Sequence, residues 1–220
     1  MVEKLCSTID QFDRDREYWN EYYKERAKDV LVPSDFAKYI AERLQPGVQV
    51  LELGCGNGRD SLYFLRQGFR VTAVDASDFA IGLLKEEVAD RARFVCGDFV
   101  ECKEIYGGKY DCIYSRFTLH AITKEQEDRL LRNVFGALCS DGLFCIEART
   151  VHDDIYGLGE EVGHNEFIYN DHFRRFIETE EFREKLESIG FSVVSLEENT
   201  GFSKTAESDP VLMRCVVRKC

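Results

Sequence analysis

The 220-residue sequence predicts an α/β fold: a mostly parallel sheet of seven strands with helices on both faces and the last strand antiparallel. Three observations predict it. Short apolar runs rich in β-branched residues alternate with segments of helical periodicity, and parallel strands need such crossovers. A composition that is 44% hydrophobic supplies one sizeable core, and no Pro/Gly/Ser-rich or single-charge block divides it. The final two apolar runs are separated by about a dozen residues that fit no helix, so the last strand returns antiparallel to its neighbour.

In chain order, an aromatic-rich helix over residues 16–28 and a second over 34–44 come first. Ser34 caps the second helix, and Phe36, Ile40 and Leu44 form its buried stripe. Strand 48–53 leads to a helix over 58–67 ended by Gly68. Strand 70–75 leads, through Ser77 as cap, to a helix carrying Phe79, Ile81, Leu84 and Val88. A third strand (ARFVC) ends at Gly97-Asp98, and a fourth (YDCIYS) follows the Gly107-Gly108 turn. Leu130, Leu131, Val134, Phe135 and Leu138 recur at helical spacing, so 124–138 is a helix before strand 142–149. A helix over 179–189 then precedes strands FSVVSLE and VLMRCVV. The chain reads as one domain over 1–220, with a helical N-terminal lid over 1–46 and an insertion over 150–177.

Composition narrows the class of partner. A formal net charge of −12 repels nucleic acid, although a local basic pocket remains compatible with it. No run approaches the roughly 20 apolar residues of a membrane helix. The first residues lack the apolar core of a signal peptide, so a soluble, cytoplasmic protein is expected, away from membranes, as monomer or homodimer. The nine cysteines form no CxxC pair and mostly sit in apolar runs, where cysteine acts as a small hydrophobe, so no metal site is expected.

The stretch VLELGCGNGRDS places Gly54, Gly56 and Gly58 directly after the first strand, where backbone must lie close to a ligand. The spacing differs from the dinucleotide fingerprint GxGxxG, and there is no GK[ST] of a P-loop. More than forty residues precede the first strand, which also argues against a simple nicotinamide domain. Downstream, Asp75 ends the second strand, where a carboxylate accepts from ribose hydroxyls. Gly97-Asp98-Phe99 ends the third, where an acid and a ring suit adenine.

On these residues the sequence resembles class I S-adenosylmethionine-dependent methyltransferases: LELGCGNG as the first motif, Val74-Asp75-Ala76-Ser77 as the ribose acid, Gly97-Asp98-Phe99 at adenine, and YDCIYS as the fourth motif. GCGNGRDSLYFLRQGFRVTAVDAS is similar to the tellurite-resistance and thiopurine branch, which acts on small molecules. The resemblance implies a Rossmann-like sheet of seven strands, S-adenosylmethionine as cofactor and S-adenosylhomocysteine as product. It places Gly54, Cys55, Gly56 and Asn57 at the methionine moiety, Asp75 and Ala76 at the ribose, and Gly97, Asp98 and Phe99 at adenine. Ser115 falls beside the sulfonium, Glu52 behind the loop, Arg59 either paired with Glu52 or an ordinary helix residue, and Trp19 and Tyr23 in an aromatic lid. It thins after Arg149.

Methyl transfer is an in-line displacement, so positioning and exclusion of water are the protein's main tasks. At the carboxyl ends of strands four and five, this acidic chain carries Arg116, His120, Arg149 and His152, and the insertion adds His164, His172, Arg174 and Arg175. Arg116 and His120 are the candidate catalytic residues. Tyr23, Arg149, His152, His172, Arg174 and Arg175 are the candidate contacts to a small acceptor bearing a carboxylate, phosphate or phosphonate. The insertion also holds Tyr156, Phe167, Tyr169, Phe173 and Phe176 and reads as a substrate lid. A protein or peptide methyltransferase, a thiol or metalloid methyltransferase, and a non-catalytic cofactor-binding subunit are the alternatives.

Overall fold

The computed structural model describes residues 2–27, 30–170 and 172–220. Lys28, the last residue of the expected first helix, lies outside the described residues. Helix α1 (Val2–Glu25) starts far ahead of the expected residue 16 and is followed by α2 (Asp35–Ala41). The alternating core comprises β1 (Gln49–Leu53), α3 (Arg59–Arg66), β2 (Arg70–Asp75), α4 (Asp78–Val88), β3 (Arg93–Cys96), α5 (Lys103–Tyr106), β4 (Tyr110–Arg116), α6 (Lys124–Ala137) and β5 (Leu138–Arg149). Then come β6 (Glu160–Gly163), β7 (Glu166–Tyr169), β8 (His172–Arg175), α7 (Thr179–Ile189), β9 (Phe191–Asn199) and β10 (Leu212–Lys219).

The seven-stranded sheet has the order β3-β2-β1-β4-β5-β10-β9, and β10 runs antiparallel to both β5 and β9. The expected fold class is the observed one. Alternation along each strand splits the buried residues between the two faces. Leu51, Leu53, Val74, Ile113, Phe144 and Ile146 pack with Leu130, Leu131, Val134 and Leu186 of α6 and α7. Val50, Ala73, Cys112, Tyr114 and Cys145 pack with Phe36, Ile40, Phe64 and Leu84 of α2, α3 and α4. Helix starts follow local chemistry: Ser34 Oγ accepts from Ala37 N–H, and Thr123 forms a reciprocal capping box with Gln126.

The strand order reverses at β1 and β4, which opens a crevice beyond their carboxyl ends. All the loops that carry the glycine motif and the downstream acids converge there.

The insertion differs from the expected lid loop. It folds as a small antiparallel sheet, β6-β7-β8, whose inner aromatics pack on one another: Tyr156, Phe167 and Phe176 have mutual ring centroids 5.4–5.9 Å apart. Edge-to-face contact of this kind stabilises a satellite core, in which Phe167 and Phe176 are buried and the exposed Tyr156 covers them. Phe173 pairs with Ile168 across β7 and β8.

Candidate functional site

A cleft of about 580 Å³ lies at the carboxyl ends of β1, β2 and β4. Gly54, Cys55, Gly56 and Asn57 form its floor, Asp75, Ala76 and Phe99 one wall, and Arg116, Phe117 and Thr118 the other. Trp19, Tyr22 and Tyr23 of α1 cover it, and Ser203 and Thr205 reach in from the β9–β10 loop.

The glycines answer to close contacts as well as to a ligand. Gly54 and Gly56 hold φ of 68° and 54°, and a Cβ on either would meet Thr118 Cγ2 at 2.4 Å or Tyr23 Oη at 2.2 Å. Left-handed backbone with a side chain at van der Waals distance leaves only glycine. Asp75 organises the loop directly: its carboxylate accepts from Gly56 N–H at 2.7 Å and Ser77 N–H at 2.9 Å. Burial raises the Asp75 pKa, opposed by these N–H donors. The carboxylate still lines the cleft.

The lid is clamped where the acid sits. Asn20 of α1 donates to Asp78 Oδ1 at 2.6 Å and accepts from Ser77 Oγ at 2.7 Å. Tyr23 is held against the loop, and burial followed by Asp75 pushes its phenol well above the ordinary value, so it stays a hydroxyl donor. The sequence reading passed over Asn20, although an amide one turn before a Tyr-Tyr pair on a docking helix is a capping group in reach of the next loop.

Glu52 lies behind the floor, buried at 4% exposure, and accepts from Ser61 Oγ. Burial, then Asp60, holds its carboxyl well above the usual range. Arg59 lines the cleft and pairs at 3.7 Å with Asp60. Asp60 itself accepts from Ser34 N–H, Ser34 Oγ and Tyr114 Oη at 2.7–3.0 Å, tying α2, α3 and β4 together beneath the site. Of the Gly97-Asp98-Phe99 stretch, Phe99 reaches the cleft, while Asp98 Oδ1 closes the turn by accepting from Val100 N–H at 2.7 Å. Ser115 is fully buried and hydrogen-bonded to Thr118, and it is Thr118 that reaches the cleft wall.

Arg116 lines the cleft and shares one buried carboxylate with a second arginine, which leaves the trio net positive. Its Nε donates to buried Glu147 at 2.7 Å, and Glu147 also accepts from Arg214 Nε at 2.6 Å. A second Arg116 nitrogen donates to Ser203 Oγ at 2.8 Å, pinning the β9–β10 loop to the cleft. His120 stands behind the wall, in the 3-10 turn Leu119–Ala121, with Phe117 between it and the cleft at a ring distance of 5.6 Å. Phe117 has φ 56°, an unusual conformation for an aromatic residue.

The expected substrate contacts separate into three places. Arg149, His172 and Arg174 gather with His120. His172 stacks on Tyr18 at 4.6 Å and meets Trp19 edge-on at 5.4 Å, and Arg149 approaches Phe117 at 5.8 Å while donating to Asp153 at 2.8 Å. Arg175 does not join them. It is adjacent to Arg174 on a strand and so faces the other way, donating to Ile122 O at 2.9 Å, Leu119 O at 3.2 Å and Glu127 at 2.5 Å. His152 is 69% exposed and paired with Glu198 at 2.6 Å, outside the cleft. His164 is exposed as well.

A family model described as a methyltransferase domain matches residues 19–196. An uncharacterized methyltransferase of Synechocystis sp. is 31% identical over 103 residues, 47% of this chain and 48% of that protein. The match thus spans about half the length of that relative, and the same holds for a carboxy-S-adenosyl-L-methionine synthase of Shewanella oneidensis, 28% identical over 50% of this chain and 48% of that protein. Among solved structures, 1,6-didemethyltoxoflavin-N1-methyltransferase of Burkholderia thailandensis, with 1,6-didemethyltoxoflavin and S-adenosylhomocysteine bound, superposes with a TM-score of 0.72. It is 21% identical, covering 97% of this chain and 89% of that one. At this identity the likeness concerns the fold. With its sheet order, glycine floor and strand-end acid in place, the chain belongs to the methyltransferase-domain family, of the class I S-adenosylmethionine-dependent type.

Proposed function

We propose that this chain transfers a methyl group from S-adenosylmethionine to a small acceptor bearing a carboxylate, phosphate or phosphonate. The observation that carries the reading is the sharing of one enclosed cleft by the Gly54–Asn57 backbone, the fixed carboxylate of Asp75 and the ring of Phe99 under an aromatic cover. In this reading Asp75 would hold the ribose hydroxyls, the loop the methionine moiety, Phe99 a face of adenine, and Trp19 and Tyr23 the lid. The cofactor would supply a sulfonium methyl open to in-line displacement. Cys55 would pack beside it as an unreactive wall, since burial, then Asp75, pushes its thiol well above the ordinary value.

The remaining steps fall to positioning. Tyr22 and Trp19 would keep water out of the acceptor path, and Thr118, rather than Ser115, would face the reacting groups. Arg116 would add positive charge along the acceptor path while Glu147 holds its guanidinium in place. The anionic class is favoured by Arg116 in the cleft and by Arg149 and Arg174 behind its Phe117 wall, in a chain of net charge −12.

Thermal unfolding with S-adenosylhomocysteine, S-adenosylmethionine and NAD tests the cofactor half: the first two raise Tm and NAD leaves it unchanged. Incubation with methyl-labelled cofactor and a panel of small carboxylates, phosphonates, amines and thiols tests the acceptor half. Label entering only amines or thiols that carry no anionic group, or a peptide, contradicts the anionic class.

A further inference from the structure

The region behind Phe117 holds a combination that a folded core otherwise avoids. Nδ1 of His120, Nε2 of His172 and Nε of Arg174 are all buried and have no hydrogen-bond partner among the described residues. His120 is 5% exposed and His172 3%. Buried polar groups are nearly always satisfied, because an unpaired one loses its hydration with nothing in return. Arg174 Nε is a donor in every state and both imidazoles become donors on protonation, so an anion is the one ligand that satisfies all three nitrogens together.

The surroundings carry the same sign. Arg149 and Arg174 both lower the proton affinity of His120 through space, as do His172 and Arg175. Around the pair of imidazoles, β5 and its following turn present Arg149 and Asp153, β8 presents Arg174 and Arg175, α1 presents Tyr18, and β7 presents Tyr169. Asp153 is taken by Arg149, and Arg175 by Glu127. The cluster borders the cleft through two rings that line it, Phe117 against His120 and Trp19 against His172, with Tyr18 stacked on His172 at the outer side.

We propose that this cluster is an oxyanion subsite in which Arg174, His120 and His172 bind the anionic group of the acceptor, and that binding is accompanied by proton uptake on the histidines. The inference rests on the proposed reading of the cleft as a methyl-transfer site, because it names the handle by which the acceptor is held. Desolvation keeps His172 near pKa 4 and His120 well below its ordinary value without a ligand. An anion placed between them and the arginines favours the charged imidazoles, so each proton taken up makes affinity rise as pH falls. Arg175 takes no part in anion binding. Its bonds to Leu119 O and Ile122 O make it a positioning residue for the turn that carries His120.

The chain's single tryptophan reports on the subsite, since Trp19 lies 5.4 Å from the His172 ring and protonated imidazole quenches indole emission. Full-length protein is titrated with inorganic phosphate and, separately, acetate at pH 6 and pH 8, following Trp19 emission and the imidazole nitrogen resonances of all four histidines. Expected are saturable quenching, affinity at least tenfold tighter at pH 6, shifts at His120 and His172 but not at His152 or His164, and proton uptake by calorimetry in buffers of different ionisation enthalpy. Arg174→Gln and His172→Asn are expected to weaken the anion at least tenfold while keeping the Tm rise given by S-adenosylhomocysteine. His152→Asn serves as the matched control.

Anion binding as tight in both variants as in the wild type, or shifts confined to the exposed histidines, overturns the subsite, as does the absence of any response to either anion at both pH values. If S-adenosylhomocysteine fails to bind while phosphate behaves as described, the methyl-transfer reading falls and the anion site stands. If the variants lose the Tm response as well, nitrogen shifts of wild-type His120 and His172 decide the matter alone.

Discussion

The two sides of the cleft are built on opposite principles. On the cofactor side, polar groups are already paired: Asp75 takes two backbone N–H bonds, Asp98 closes its own turn, and Asp60 gathers Ser34 and Tyr114. On the acceptor side, behind Phe117, three buried nitrogens have no partner among the described residues. A satisfied frame is rigid before its ligand arrives, whereas an unsatisfied one stores part of its binding energy until a ligand of the right charge completes it. The difference separates what every member of a cofactor-defined family must hold from what each must choose.

The comparison breaks most visibly through Arg175, which supports the acceptor side from the rear. Arg175→Met leaves two turn carbonyls and a buried carboxylate short of donors, with only Lys185 still on Glu127 at 2.7 Å. Losing one partner of a buried ion pair costs about 3–5 kcal/mol; urea unfolding measures it, and a loss below about 1 kcal/mol counts against the role. Asp75→Ala removes the acceptor of Gly56 N–H on the other side and is expected to weaken S-adenosylhomocysteine about 100-fold, or roughly 3 kcal/mol, by calorimetry. An unchanged Kd contradicts the assignment.

Acid distinguishes the two sides by sign. His172 titrates near 4 folded against 6.5 unfolded, so between these values the unfolded chain binds more protons. Stability held above pH 6.5 is therefore lost as pH falls toward 4, by up to about 3 kcal/mol from this residue. Unfolding at pH 7.5 and 4.5 measures it, and His172→Asn reduces the pH dependence; equal slopes in the two proteins contradict it. The smallest effect is expected at His152, whose exposed pairing with Glu198 contributes about 0–1 kcal/mol. His152→Asn leaves both cofactor and anion binding unchanged.

Legibility in the sequence follows the same divide. The floor of the cleft is local: glycines, Asp75 and Phe99 lie within a few residues of strands whose apolar runs are unambiguous, so both fold and cofactor side could be read. The acceptor side is assembled from short pieces far apart in the chain. Strands β6, β7 and β8 are four residues each, too short to show a period. Had HFRR been read as a strand, alternation would have parted Arg174 from Arg175. Ser203 and Thr205 sit in a loop with no pattern, and only the antiparallel return of β10 brings them to Arg116. His152, close in sequence to the expected contact Arg149, is turned outward by Glu198 on β9, a pairing that no local signal announces.

The most direct trial of the central claim is a calorimetric titration of the folded wild-type chain with S-adenosylhomocysteine. The account predicts one site per chain, saturable at micromolar ligand and displaced by S-adenosylmethionine but not by NAD. A folded protein that releases no heat with either nucleoside, or that binds NAD in their place, contradicts it.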